Sequence, residues 1–262
     1  EPTDKVEGMQ WLNPTTGLVL FWDDEKWLQM PGGADGTDGT DGVWEEDANG
    51  ASYTGNVAVN GDLLASKSDA GTYAVAVGRS SGQTSQGTSA VAVGRGAGQT
   101  TQGYDTVAVG KDAGKTTQGI YSVAVGSSSG KTSQGTYSVG IGLEAGGDNQ
   151  GDRSVAIGLY AGRGEPGDPA NGQGDNAVAI GRENGKTTQG NNSVAVGAYA
   201  GQTTQGSTAV SVGFSAGQTT QGDNSVAIGM QAGQTSQGTD SVAIGRAAGY
   251  NNQQDYATSI GT

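Results

Sequence analysis

The chain contains no cysteine and no histidine, and only two of its 262 residues are phenylalanine. Without cysteine there is neither a disulfide framework nor a thiolate metal site. Without histidine the usual general base, the Ser/His/Asp triad and the commonest metal ligand are missing. Carboxylates, lysines and hydroxyls remain as reactive side chains. Hydrophobic residues make up 33% of the sequence, which would fill a conventional core of this size poorly. No apolar run approaches the length of a membrane span, so no membrane insertion is expected of this segment. What the chain has in abundance is glycine, 50 residues of it.

Charge is unevenly placed. Residues 1–50 hold twelve Asp and Glu against Lys5 and Lys26, whereas residues 51–262 hold fourteen acids against eleven bases. Neither part shows a basic stripe along the sequence, so nucleic acid is not an expected partner. The chain opens on Glu1 and stops at Thr262 in mid-repeat, as expected of a piece of a longer protein.

From residue 74 one phrase recurs: AVAVGRSSGQTSQG, then AVAVGRGAGQTTQG. The glycine after VAV or VAI falls every sixteen residues from Gly78 to Gly158, then after one interval of twenty-three at Gly181, and every sixteen again to Gly261. A fixed short period with glycine in phase predicts a solenoid in which each repeat is one coil stacked on its neighbours. Glycine about every five residues and β-branched residues in the apolar slots exclude helix. Within each VAV segment the branched residues occupy one face of a strand and Ala, Ser or Gly the other. We expect the branched face inside the coil. The small face, carried by Ala76, Ala92, Ala108, Gly140 and Ala195, is then the candidate interface between chains. A coil this thin buries little apolar area, at about 25 cal/mol per Å² against roughly 1–2 kcal/mol of backbone entropy per residue, so several chains are expected to share a core with cyclic symmetry.

The second half of the repeat contains a glutamine that never varies, at Gln86, Gln102, Gln118 and Gln134 and in seven later copies. Sameness within one chain marks a packed position. Stacked amides can hydrogen-bond up and down a column, so a structural ladder, within a chain or between chains, is expected. Two threonine columns, Thr84, Thr100, Thr116 and Thr101, Thr117 among them, suggest an ice-binding surface as an alternative. As sequence neighbours in a strand they are expected on opposite faces.

The segments GKDAGKT, GSSSGKT and GRENGKT imitate a phosphate-binding loop, but each has three residues between its glycines where four are needed. No metal site is expected. Asp35, Asp38 and Asp41 lack calcium-loop spacing, and no paired carboxylates of the glycosidase kind are present, so neither catalytic residues nor a cofactor is assigned. The single break in period is an inserted loop, residues 163–172 within GRGEPGDPANGQG. Insertions in solenoids emerge on one face and often bind, which makes Arg163, Glu165 and Asp168 the receptor-binding candidates.

SVAIG and SVAVG, followed by a small residue and a short turn, resemble the head repeats of trimeric autotransporter adhesins over about residues 72–262. That resemblance implies a left-handed parallel β-roll assembled as a trimer. The sixteen-residue period with QTTQG inserted is longer than the family commonly shows. At the other end, MQWLNPTTGLVLFWDDEKWLQM resembles the tryptophan-rich modules of phage tail fibres.

The expected protein is therefore all-β: a parallel β-solenoid of about twelve 16-residue coils, trimeric, preceded by a small β-meander. Residues 1–31 form the meander and 32–50 a Gly-rich acidic linker that is flexible or collagen-like. Residues 51–71 are a β lead-in, and 72–262 are the β-roll. The expected function is that of a structural and adhesive fibre, a virion tail fibre attaching to a host surface, with a bacterial trimeric adhesin head as the alternative. Its expected partners are two further copies of itself, a host glycan or protein receptor, and other virion or fibre proteins. The expected location is extracellular.

Overall fold

The computed structural model of the chain describes residues 71–165, 167–168 and 171–261, and five short strands between residues 10 and 53. Two compact units divide it, residues 1–63 and 64–262.

In the first unit β1 (Gln10–Leu12), β2 (Val19–Asp23) and β3 (Lys26–Gln29) pair antiparallel in that order. A second hairpin joins β4 (Trp44–Asp47) to β5 (Gly50–Tyr53), so part of the acidic linker is strand. The aspartates at 35, 38 and 41 and most of the expected β lead-in lie outside the described residues.

The second unit is a parallel β-solenoid of eleven complete turns, without helix among the described residues. Each VAV or VAI segment adds one strand to a twelve-stranded wall that runs from Val75–Val77 to Thr258–Ile260. Register is strict: Val91 pairs with Val107, Ala92 with Ala108 and Val93 with Val109, and the same holds across the long interval, where Ala156 pairs with Ala179. A shorter second wall is built from two-residue strands such as Thr101–Gln102 and Thr117–Gln118. It breaks into sheets of three and four strands around the inserted loop, and isolated bridges from Gln134 through Gln150 and Gln173 to Gln189 carry the register over the gap.

The structure reverses the expected facing of the long wall. Ala92, Ala108, Ala124, Ala156, Ala179, Ala195, Ala227 and Ala243 are completely buried within the single chain, while the valines and isoleucines on either side point outward and are half-buried or exposed. The reason is width. Ala92 and Ala108 pack against Ala97 and Ala113 of the turn that follows the wall, and the gap between these two columns admits small side chains only, the rest of the lumen being taken up by buried glutamines such as Gln102 and Gln118. Gly140 shows how tight it is. A Cβ there would lie 2.7 Å from Ser129 Oγ, the hydroxyl that occupies the space and donates to the Ala145 carbonyl at 3.1 Å. Serine on one side of the lumen is matched by glycine on the other.

Glycine is required where the chain leaves the wall. Gly126 has φ +124°, and a Cβ there would sit 2.4 Å from the carbonyl oxygen of Gly142 in the next coil. No L-residue with a side chain fits both the angle and the space. Entry to the wall also uses left-handed backbone, at non-glycine residues with φ between 52 and 62° from Tyr73 to Tyr256. Asn and Asp, which tolerate this conformation, occupy it at 105, 176, 192, 224 and 240.

Candidate interaction surface

The invariant glutamines line the lumen. All eleven are buried, and each donates its Nε2 across the coil to a wall carbonyl, at 2.7–2.9 Å in every case: Gln86 to Val75, Gln102 to Val91, Gln118 to Val107, Gln134 to Val123 and so on to Gln253 and Val242. The expected amide-to-amide ladder is present in two runs, Gln134 through Gln150 to Gln173 and Gln189 through Gln205 and Gln221 to Gln237, with links of 3.1–3.2 Å. At Gln86, Gln102 and Gln118 the cross-lumen bond stands without it. The amide ties the two walls together first and the coils second.

Other side chains stitch coil to coil. Seryl and threonyl hydroxyls before the wall donate to the carbonyl three residues back, as Ser138 does to Gly135 at 2.6 Å. Aspartates on the adjoining turn accept from the backbone of the coil below. Asp152 Oδ1 takes the Thr136 N–H at 2.8 Å and Asp223 Oδ1 that of Ser207 at 2.8 Å. These carboxylates serve the frame.

Of the residues expected at the interface between chains, Ala92, Ala108 and Ala195 have no accessible surface to offer, Gly140 is buried, and Ala76 is half-buried at the first strand. The surface that is available is the opposite one. All twenty-four outward wall positions except Thr258 are Val or Ile, in two columns. Val77 is 42% exposed and Ile141 39%.

At the inserted loop the structure scatters the three candidates. Arg163 pairs with Glu144 at 2.7 Å and stacks over the Tyr160 ring at 5.1 Å. The Asp168 carboxylate accepts from Asn171 Nδ2, and its backbone carbonyl accepts from Asn149 Nδ2 at 2.9 Å. Glu165 is exposed. Beside the loop a shallow cavity of about 320 Å³ opens among Thr117, Ser133, Asn149 and Gln173. Lys115 and Lys186, of the imitation phosphate loops, pair with Asp112 and Glu183.

Both threonine columns are largely outward. Thr100 and Thr101, and Thr203 and Thr204, are all exposed, because the chain bends at Thr100 and strand alternation starts only at the following residue. The expectation of opposite faces is corrected accordingly.

Sequence reasoning missed an aromatic column. Tyr104 meets Tyr121 edge-on at 5.1 Å, and Tyr121 stacks on Tyr137 at 4.9 Å. These residues are exposed, and the neighbouring Tyr104 phenol is the first cause that holds the Tyr121 hydroxyl above its ordinary value. Desolvation, a hydrogen bond to Tyr104 and the charges of Asp105 and Tyr137 follow. The signal lay sixteen and seventeen residues apart and became a site only on stacking.

The model of the YadA head domain repeat matches the chain in two copies at residues 218–232. No curated protein and no solved structure matches it. With the parallel solenoid, that match establishes a resemblance to the head repeats of trimeric autotransporter adhesins.

Proposed function

We propose that this chain is the head of a cell-surface adhesin: a parallel homotrimer in which three long walls face a common axis, displaying its outer turns to an extracellular receptor. The observation that carries the reading is the double column of Val and Ile along the long wall, interrupted only by Thr258 at its end. Twenty-three such positions at partial exposure amount to on the order of 1,000 Å² of apolar surface per chain, well beyond what a monomer ordinarily leaves bare and enough for a stable interface. The face that meets the other chains is thus the branched one, and the small face fills each lumen. The head-repeat match favours the bacterial adhesin over the virion fibre, which rested on the tryptophan-rich segment alone.

The function is binding rather than catalysis. Threefold symmetry presents each exposed feature three times at one height, so weak contacts with a host glycan or protein add through avidity. Light scattering of the purified chain tests the assembly. A trimer that Val123→Asp and Val125→Asp together convert to folded monomer is expected, and a wild-type monomer would refute the proposal. Adhesion of cells displaying the intact trimer, compared with cells displaying the monomeric variant, tests the binding role.

A further inference from the structure

We propose that the two rims of the long wall recognise one another between chains and set the trimer level, coil against coil. The inference rests on the trimer reading above and concerns what aligns it. The entry rim is the left-handed residue two positions before each wall strand, and the exit rim is the residue two positions after it. Across one strand the rims are six residues apart, roughly 20 Å at about 3.3 Å per residue, too far to touch within a chain. A cyclic axis parallel to the stack places the exit rim of each chain against the entry rim of the next. Because the wall strands stack residue over residue, partners at one height come from the same coil.

The residues that meet in this way are complementary. The entry rim carries two acids, and each faces a cation: Asp105 meets Lys111, and Asp240 meets Arg246. All four are exposed, and none has an ion-pair partner in its own chain among the described residues. The one entry-rim cation, Arg153, faces Leu159. The other exit-rim cations, Arg79, Arg95 and Arg182, face Tyr73, Ser89 and Asn176. No like charges meet.

A ring of three closes only if its register shifts sum to zero, so a chain slipped by one coil is raised against one neighbour and lowered against the other, and both interfaces lose part of this pattern. Raising the partner's exit rim by one coil sets Asp105 against Ser127 and brings Arg153 onto Arg182. Lowering it keeps one acid paired, Asp105 with Arg95, and sets Asp240 against Met230. The exit rim, with five cations and no acid, also repels a copy of itself, which disfavours a two-fold pairing that would join exit rim to exit rim. The apolar columns, repeating every coil, attract equally well when slipped by one. The rims supply the distinction that the columns lack.

A chain without cysteine permits a direct test. Asp240→Cys with Arg246→Cys, treated as the assembled protein with a short bis-maleimide, is expected to give a covalent trimer on a denaturing gel. The slipped pairs, Asp240→Cys with Met230→Cys and Asp105→Cys with Ser127→Cys, should give several-fold less. Equal or better linking of a slipped pair overturns the inference. So does a trimer, proven by light scattering, in which the level pair does not link. A monomer in light scattering refutes the assembly itself, so the two failures are distinguishable. As a second measurement, Asp105→Lys should lower the temperature at which the trimer dissociates, and adding Lys111→Asp should restore it. Independent effects of the two substitutions would count against the pairing.

Discussion

Replacing Gln205 by methionine isolates the cross-lumen tie. Methionine is unbranched and close in volume to glutamine, so it can follow the same path past Gly201, where the Gln205 side chain lies within 2.9 Å of the site of a Cβ, but it cannot donate. The substitution removes the bond from Nε2 to the Val194 carbonyl at 2.9 Å, a longer one to Ala209 at 3.3 Å, and the links to Gln221 and from Gln189 at 3.1 and 3.2 Å. Gln221 Oε1 keeps the Ser211 hydroxyl at 2.6 Å, so the uncompensated loss is mainly at the Val194 carbonyl and the Gln189 amide. A buried polar group deprived of its partner costs about 1–3 kcal/mol. With three chains in register the loss is about three times that per trimer. Because stability in a stacked array is a sum of coil and neighbour terms, the damage should be local. Hydrogen exchange by mass spectrometry should show faster exchange over residues 188–212 and little change near Gln102. A glutamate at the same place should be worse at neutral pH, since its carboxylate faces carbonyl lone pairs. Burial raises its folded pKa above the unfolded value of about 4.3, so the extra cost is full well above both values and is relieved as pH falls through the raised one. Wild-type exchange in the methionine variant would show that the tie contributes nothing and that this account of the invariant column is wrong.

Ala195→Leu overfills the lumen and should cost about 1–3 kcal/mol or more, read as lowered thermal stability of the coil. Gly126→Ala meets both a forbidden φ and the Gly142 carbonyl and should destabilise the roll in circular-dichroism melts by about 1–3 kcal/mol. Thr208→Asn, at φ +56°, should stabilise it by a few tenths to about 1 kcal/mol, and a loss would show that the Thr208 hydroxyl bonds to Ser207 and Asn224 matter more than its strain. Removing seven residues from the 163–172 loop to restore the sixteen-residue period should leave the trimer intact in light scattering. If receptor contact lies there, cell attachment should fall. Tyr121 should ionise above an isolated tyrosine, and an absorbance titration of Tyr121→Phe should lose amplitude at the alkaline end of the transition.

The period, the parallel stacking, the glycine corners and the buried glutamine column were all legible in one dimension, because a repeated coil writes its own alignment: what must pack stays constant from Gln86 to Gln253. The facing of the wall was not legible. Alternation in VAV says that two faces differ, but which one is inside depends on the width of the lumen. That width is set by Ala97 and Ala113 folding back onto Ala92 and Ala108, a contact made only once the turns have closed. Size then overrides hydrophobicity, and alanine goes in while valine goes out. The same holds for the glutamines. Sequence can suggest that like stacks on like, but the carbonyl that each amide finds eleven residues earlier, or eighteen at Gln173, is located by the cross-section of the coil. Stacking also created what no stretch of sequence contains: the tyrosine column, and two rims whose neighbouring positions stand sixteen or, once, twenty-three residues apart in the chain and one strand spacing apart in space.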